Sequence, residues 1–133
     1  MSELLHKKST EDIIKIYFDT YNQLGYGFLE KIYQNAMFFE LKNKGYNGKA
    51  QSPIKVYLKG QLLGEHYSDL LVEDKVIVEL KACEVLKSAH VAQLMNYLKA
   101  TKIEVGLLLN FGEEAEFKRI IYTNDRKKNL KNQ

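Results

Sequence analysis

The spacing of apolar residues changes near residue 45, and the change separates a helical part of the chain from a part rich in strands. Apolar side chains between residues 13 and 24 recur at helical spacing, and Ser9 or Thr10 can cap that helix. A second apolar stripe covers residues 28–44, and Gly45 follows where helices commonly end. The pattern predicts two consecutive helices.

Beyond residue 45, apolar and polar residues follow the pattern of strands. A third helix is predicted over residues 89–100, with Ser88 as its cap. Lys59-Gly60 and Glu73-Asp74-Lys75 are predicted to be short connections. The predicted strands cover residues 54–58, 64–72, 76–81, 103–110 and 117–122, of which 76–81 and 103–110 are apolar enough to be buried on both faces. The order ααβββαββ indicates an α/β (α+β) fold with helices flanking a mixed β-sheet.

Composition favours one soluble domain, because the chain has 133 residues, of which 45% are apolar and 28% charged. A single cysteine excludes an internal disulfide and a cysteine-based zinc site, and the three histidines lack zinc-protease spacing. No apolar run approaches the ~20 residues of a membrane span, and the first residues lack the apolar region of a signal peptide. We expect a cytoplasmic protein without membrane contact.

The net charge of +3 arises in the last ten residues. Residues 124–133 carry Arg126, Lys127, Lys128 and Lys131 against Asp125, whereas residues 1–123 carry 16 basic and 16 acidic side chains. We expect residues 1–123 to form the domain and residues 124–133 a basic tail. Such a tail attracts phosphates, but an exposed, solubilising chain end would have the same composition.

Three charged residues stand out on the predicted strands. Glu79 and Lys81 are two apart and therefore point to the same face. If residues 73–75 form a three-residue connection, Asp69 lies opposite Glu79, with Cβ atoms ~4.5–5.5 Å apart. A two-residue connection would turn Asp69 away.

Two carboxylates at that separation repel each other unless a cation lies between them or one is protonated. Oxygen ligands without His or Cys suit Mg²⁺ or Mn²⁺, and the carbonyl of Leu80 is the natural third ligand. Such an ion acidifies bound water and polarises a phosphoryl oxygen, while Lys81 could orient the attacking water or stabilise the pentavalent phosphate. The alternative is a surface ion pair between Glu79 and Lys81.

Further polar residues are candidates for the same site. Gln93 and Tyr97 share one face of the third helix, although the polar flank of an amphipathic helix would show the same pair. Glu30 stands at the start of the second helix, where an acidic residue also suits the helix dipole. Strand parity predicts that His66 faces away from Asp69.

At this point the chain resembles a known family. Residues 27–33 read Gly-Phe-Leu-Glu-Lys-Ile-Tyr and fit GxxExxY, the signature of the GxxExxY proteins of the PD-(D/E)XK nuclease superfamily. The resemblance covers residues 9–122, and its parts occur in the superfamily's order: Glu30, Asp69, the segment 79–81, and the segment 93–97, which matches the QxxxY pattern of the RecB-like branch. Ser68 stands where the superfamily usually has proline.

The resemblance implies a restriction-endonuclease-like core and hydrolysis of phosphodiester bonds in DNA, or RNA, with one or two metal ions. It implies that Asp69, Glu79 and Glu30 bind the metal and that Lys81 is a catalytic residue. By the same resemblance, residues 93 and 97 contact the site or the nucleic acid.

Three functions fit these observations. A metal-dependent nuclease uses every polar residue named above, although a domain this small contacts few phosphates, so a homodimer or a larger partner would help. A non-cleaving nucleic-acid-binding module would use the basic tail, but the acidic pair repels phosphates when no metal is bound. A structural or interaction protein would need neither metal nor nucleic acid.

Overall fold

Helix α1 (Lys7–Leu24) is the first element of the computed structural model, which describes residues 5–128. The elements that follow are α2 (Glu30–Asn43), β1 (Gly48–Leu58), β2 (Gln61–Val72), β3 (Val76–Lys81), α3 (Ser88–Ala100), β4 (Val105–Phe111), β5 (Ala115–Ile121) and a 3₁₀ turn (Asn124–Arg126). The order ααβββαββ confirms the predicted fold class. Within the described residues, no helix has the length and apolar character needed to cross a membrane.

The strands form one five-stranded sheet in the order β1-β2-β3-β4-β5. β1, β2 and β3 are successive antiparallel neighbours, β3 and β4 are parallel, and β5 returns antiparallel to β4. Parallel strands require a crossover connection, which α3 provides. Every residue of β4 is buried, and so are the first five residues of β3, as predicted for strands covered on both faces.

Adjacent residues of β3 alternate between two hydrophobic cores. Val78 and Leu80 belong to the core that contains α1 and α2, whereas Ile77 belongs to the core that contains α3. Because side chains alternate along a strand, Glu79 and Lys81 leave the sheet on the α3 side. Glu79 and Lys81 are therefore directed toward α3, whereas Glu30 belongs to α2.

The starts of two helices differ from the sequence prediction. α1 begins before Ser9 and Thr10, so neither residue caps it. The Thr10 hydroxyl instead donates to the carbonyl of His6 (3.1 Å), as such side chains do inside helices. α3 begins at Ser88 itself, and Lys87 is its N-cap residue.

The hairpin of β1 and β2 is longer than predicted. Lys59 and Gly60 form its two-residue turn, with φ values of 50° and 80° that match a type I′ turn. β2 pairs with β3 only through residues 70–72, so the outer parts of β1 and β2 extend past β3. Most of that outer part is exposed, which explains why its sequence lacks a regular apolar alternation.

The chain continues to pack after β5. The Nζ of Lys127 donates to the carbonyls of Thr101 (2.8 Å) and Ile103 (2.7 Å), just after α3. Lys127 is 8% exposed, and burial lowers its pKa to about 8. Lys127 therefore packs on the domain, whereas the other residues from 124 to 128 are exposed. The boundary expected after residue 123 stays a prediction. Lys131 lies outside the described residues.

Candidate functional site

The connection between β2 and β3 sets the position of Asp69. Val72 pairs with Val76, so residues 73–75 form a three-residue connection, as the hypothesis of an acid pair required. The paired register ends one step before Asp69 and Glu79, and its continuation brings these two residues opposite each other. The predicted register is confirmed.

Asp69 and Glu79 continue the contact between the two strands through their side chains. The backbone N–H of Asp69 donates to Oε2 of Glu79 (2.8 Å). The backbone N–H of Leu80 donates to Oδ2 of Asp69 (2.8 Å). Each carboxylate thus binds the opposite strand, and the two acids are fixed beside one another.

Burial and mutual repulsion destabilise the charged form of this pair. Glu79 is 5% exposed, and burial raises its pKa to about 8, with the charge of Asp69 acting in the same direction. Burial also raises the pKa of Asp69, and the charge of Glu30 adds to the effect. Without a cation, burial and the charge of Asp69 therefore favour the protonated form of Glu79, and the titration belongs to the coupled pair rather than to one residue.

Lys81 lies near both acids without forming an ion pair with either. Its charge lowers the pKa of both carboxyl groups. Among the ion pairs between described residues, none includes Lys81. The alternative of a surface ion pair with Glu79 is therefore wrong, because Glu79 is buried and the ammonium group of Lys81 does not pair with it.

Each acid of the pair also has an oxygen that can accept a ligand. Neither Oδ1 of Asp69 nor Oε1 of Glu79 accepts a hydrogen bond from a described residue. Both oxygens keep contact with solvent, because Thr20 Oγ1 is the only fully buried side-chain polar atom without a partner among the described residues. Solvent-accessible carboxylate oxygens fit a hard divalent cation. Within residues 5–128, no three His, Cys, Asp or Glu side chains are grouped closely enough to hold a metal. A cation here would therefore also need backbone and water ligands.

Glu30 lies at the rim of the site. It is the first residue of α2 and is exposed. Its charge raises the pKa of both Asp69 and Glu79, so it is within electrostatic reach, yet it completes no three-ligand group among the described residues. The structure brings Asp69, Glu79 and Lys81 together and leaves Glu30 further out.

Tyr33, the last residue of the GxxExxY pattern, holds the loop that leads into α2. Its buried ring stacks on Phe111 with 4.0 Å between ring centroids. Its hydroxyl donates to the carbonyl of Gly25 (2.7 Å) and accepts the N–H of Phe28 (3.1 Å). Gly27 has a φ of 110°, which favours glycine. The glycine and the tyrosine of the pattern thus shape the loop that positions its glutamate.

Gln93 and Tyr97 belong to α3, which packs on the face of the sheet where Glu79 and Lys81 emerge. Tyr97 is buried, and its pKa is raised by burial and then by the charges of Glu79 and Asp69. Gln93 and Tyr97 line a cleft of about 640 Å³ together with His66 of β2, whose ring centroid lies 5.8 Å from that of Tyr97. The expectation that His66 faces away from the site is therefore wrong. The pairing of β1 and β2 has a gap at Asp69, while the pairs on either side of that gap keep the same register.

A pair of glutamines was missed in the sequence. Gln51 of β1 has a φ of 53° and lies where the register skips Asp69. Its Nε2 donates to Oε1 of Gln34 (2.7 Å), a buried residue of α2. This bond connects α2 to the strand next to the site. The only signal was the position of Gln34, one helical turn after Glu30.

A mixed sheet between helices, with an acid pair and a lysine at the end of its central strand, defines a nuclease-like α/β domain. The chain belongs to the PD-(D/E)XK nuclease superfamily, because the model of that superfamily matches residues 7–120. Membership confirms the restriction-endonuclease-like fold and suggests a nuclease-like function on nucleic acid. Nucleases of this superfamily typically use divalent metals.

The solved structure of SSO0001 has a similar fold, with a TM-score of 0.57 and 18% sequence identity. The alignment covers 70% of this chain and 50% of that one, so this chain spans about half the length of its structural relative. No curated protein matches the chain.

Proposed function

We propose that this protein hydrolyses phosphodiester bonds of nucleic acid in a metal-dependent reaction. The observation that carries the proposal is the acid pair: Asp69 and Glu79 are held side by side, and each has one carboxylate oxygen without a hydrogen-bond donor. A purely structural role gives no reason for two partly buried carboxylates at that spacing, since they repel each other.

Asp69, Glu79 and the carbonyl of Leu80 would hold the cation, with waters in its remaining positions. Oxygen ligands suit Mg²⁺ or Mn²⁺. When bound, such a cation activates water and polarises a phosphoryl oxygen. Glu30 would join the outer part of the site and add negative charge that attracts the cation, as its effect on both pKa values supports.

Lys81 is the proposed catalytic cation. Its ammonium group forms no ion pair with a described residue and lies near both acids, so it can orient the attacking water and stabilise the negative charge that develops on phosphate. Gln93 and Tyr97 would contact the nucleic acid or support the site from α3.

The proposal extends to the protein group, the substrate, the cellular location and the oligomeric state. We place the chain in the GxxExxY group, because Gly27 and Tyr33 have structural reasons to be where that pattern requires them. DNA is the favoured substrate, with RNA as the alternative, and the cytoplasm is the favoured location. A homodimer would enlarge the contact with phosphates.

Cleavage of mixed single-stranded and duplex DNA and RNA with Mn²⁺ tests the proposal. Lys81→Met should abolish cleavage without loss of metal binding, because Lys81 is not a metal ligand. Lys118→Met, an exposed lysine of β5, is the matched control. Metal-dependent cleavage by wild type that survives in Lys81→Met would reject the role of Lys81. Nucleic-acid binding without any cleavage would favour the non-cleaving module.

A further inference from the structure

The cleft beside the acid pair runs between α3 and the outer part of the β1–β2 hairpin. Its volume is about 640 Å³, within the usual range for ligand sites. The residues that line it include Tyr57, Gln93, Asn96, Tyr97 and Lys99, whereas Asp69 and Glu79 do not line it. Tyr97 lies within electrostatic reach of both acids, so it is the residue that connects the cleft to the acid pair.

A second depression extends the same path. It is lined by Tyr57, Lys55 and Lys102, and Tyr57 also lines the first cleft. The two depressions are lined by three lysines and by no Asp or Glu among the described residues. Because residues 1–123 carry equal numbers of acidic and basic side chains, this segregation of charge is local and fits a chain of phosphates.

Ring and amide groups line the floor between the acids and the lysines. The His66 ring lies against Tyr97 at 37° between ring planes, and it is exposed on its strand. Gln93 and Asn96 are exposed on α3 and offer both donors and acceptors. Rings that accept stacked bases, with a cationic track for the backbone, are the usual means of binding single strands.

The path has the length of a few nucleotides. α3 rises 1.5 Å per residue, so Gln93 and Ala100, which both line the cleft, are roughly 10 Å apart along the helix axis. At about 3.4 Å per stacked nucleotide of one strand, that distance accommodates at most about three nucleotides, and fewer when the bases are unstacked. A duplex keeps the faces of its bases stacked and would not present them to His66.

We propose that this cleft binds about two or at most three nucleotides of a single-stranded polynucleotide, with a base against His66 and phosphates beside Lys99 and Lys102. The inference rests on the proposed nuclease function and specifies its substrate class. The strand would pass Tyr97 to bring one phosphodiester to Asp69 and Glu79.

The test measures the affinity of fluorescent single-stranded DNA, its RNA equivalent and the matching duplex by anisotropy, with Mg²⁺ present and with Lys81→Met as the background that stops turnover. Single strands should bind at least about fivefold more tightly than the duplex. His66→Ala should weaken single-strand binding about tenfold, the range expected for one stacked base, and His66→Phe should retain it. Tyr67→Ala, an exposed aromatic residue on the same strand that does not line the cleft, is the matched control.

Lys99→Met should weaken binding and reduce the slope of log affinity against log salt by about 0.7, the value for one phosphate of a single strand. Lys118→Met should leave the slope unchanged. Equal or tighter binding of the duplex, or a change below twofold in both His66→Ala and Lys99→Met, would overturn the inference. Melting temperatures of the variants show that each one is folded.

The outcomes separate this inference from the nuclease proposal. If substitution of Lys81 abolishes cleavage while substitutions of His66 and Lys99 leave it unchanged, the nuclease proposal stands and the proposed role of the cleft is rejected. Binding of single strands that requires His66, in a wild-type protein without any cleavage, would retain the cleft and reject hydrolysis. Tighter binding of single-stranded RNA than of single-stranded DNA, or the reverse, shows which of the two the cleft prefers.

Discussion

The backbone N–H of Asp69 donates a 2.8 Å hydrogen bond to Oε2 of Glu79, so one acid of the pair supplies the group that holds the other in place. The backbone N–H of Leu80 in turn donates a 2.8 Å hydrogen bond to Oδ2 of Asp69. These bonds fix the carboxyl groups close together although burial and repulsion disfavour their charged forms. A fold that maintains such a geometry sacrifices stability at its site, which is common where function requires it.

Glu79→Gln should stabilise the metal-free protein and remove its response to metal. The amide oxygen of glutamine can still accept the N–H of Asp69, while the buried negative charge is gone. At pH 8 and without metal, we expect the melting temperature to rise by several degrees, about what 1 kcal/mol produces in a domain of this size. Calorimetry with and without Mg²⁺ measures both effects, and cleavage should be lost.

Glu113→Gln is the control for that substitution, because it removes an exposed glutamate outside the site. It should leave the melting temperature and the effect of Mg²⁺ unchanged. A lower melting temperature in metal-free Glu79→Gln would contradict the view that this charge is destabilising.

The stability of the metal-free protein should fall as pH rises from about 4.5 to about 8. The pKa of Glu79 is raised from 4.5 to about 8 in the folded state, so the folded protein binds more protons than the unfolded chain across that window. Its contribution is complete below the unfolded pKa and is lost as pH passes the folded pKa. Urea unfolding at several pH values measures the slope.

Mg²⁺ should flatten this dependence, because a bound cation takes the place of the proton. The Glu79→Gln protein should lack the same component of the slope even without metal. If the free energy of unfolding depends on pH identically in wild type and Glu79→Gln, the pKa of Glu79 is not raised in the folded protein.

Some of this site followed from the sequence for simple geometric reasons. Side chains on a strand alternate with a period of two, so an odd-length connection between β2 and β3 was enough to bring Asp69 and Glu79 together. The burial of β3 and β4 followed from their continuous apolar runs. The central part of the site is therefore encoded locally, within residues 69–81.

Other features depend on tertiary contacts that leave little trace in the sequence. The residue type of Gln51 does not predict its left-handed backbone, which lies at the gap in the pairing of β1 and β2. The ring of His66 lies against Tyr97 of α3, a direction that strand parity did not predict. Lys127 was assigned to a basic tail because it is charged, yet its Nζ donates hydrogen bonds to two carbonyls just after α3. Charge predicts exposure only where no buried acceptors are available.

Tyr33→Phe should destabilise the protein by about 1–3 kcal/mol, because it removes two partly buried hydrogen bonds that each contribute about 0.5–1.5 kcal/mol. The hydroxyl is the hydrogen-bond partner of Gly25 and Phe28, while the ring can keep its stack on Phe111. Chemical denaturation measures the change in the free energy of unfolding. Cleavage should also fall, because the loop before Glu30 loses its anchor.

The matched control is Tyr26→Phe, since Tyr26 is 58% exposed in the same loop. It should change the free energy of unfolding by no more than about 0.5 kcal/mol. Equal effects of the two substitutions would show that the hydroxyl of Tyr33 has no special role.

Gly112→Ala should destabilise the protein by about 1–3 kcal/mol through overpacking. A Cβ atom at Gly112 would lie 2.4 Å from the carbonyl oxygen of Cys83 and 2.9 Å from Nδ2 of Asn110. That amide already donates to the Cys83 carbonyl at 2.8 Å, so the added methyl group would enter the contact that holds the segment after Lys81. Cleavage should decrease together with stability, because Lys81 lies two residues before Cys83.

Gly64→Ala is the comparison for this substitution, since a Cβ at Gly64 meets no atom within 4 Å. Its effect on the free energy of unfolding should stay within about 0.5 kcal/mol. Denaturant titration of both variants, followed by cleavage assays at a temperature where both are folded, separates stability from activity. A Gly112→Ala protein as stable as Gly64→Ala would show that the segment around Cys83 can move without cost. The position of Lys81 would then depend on β3 alone.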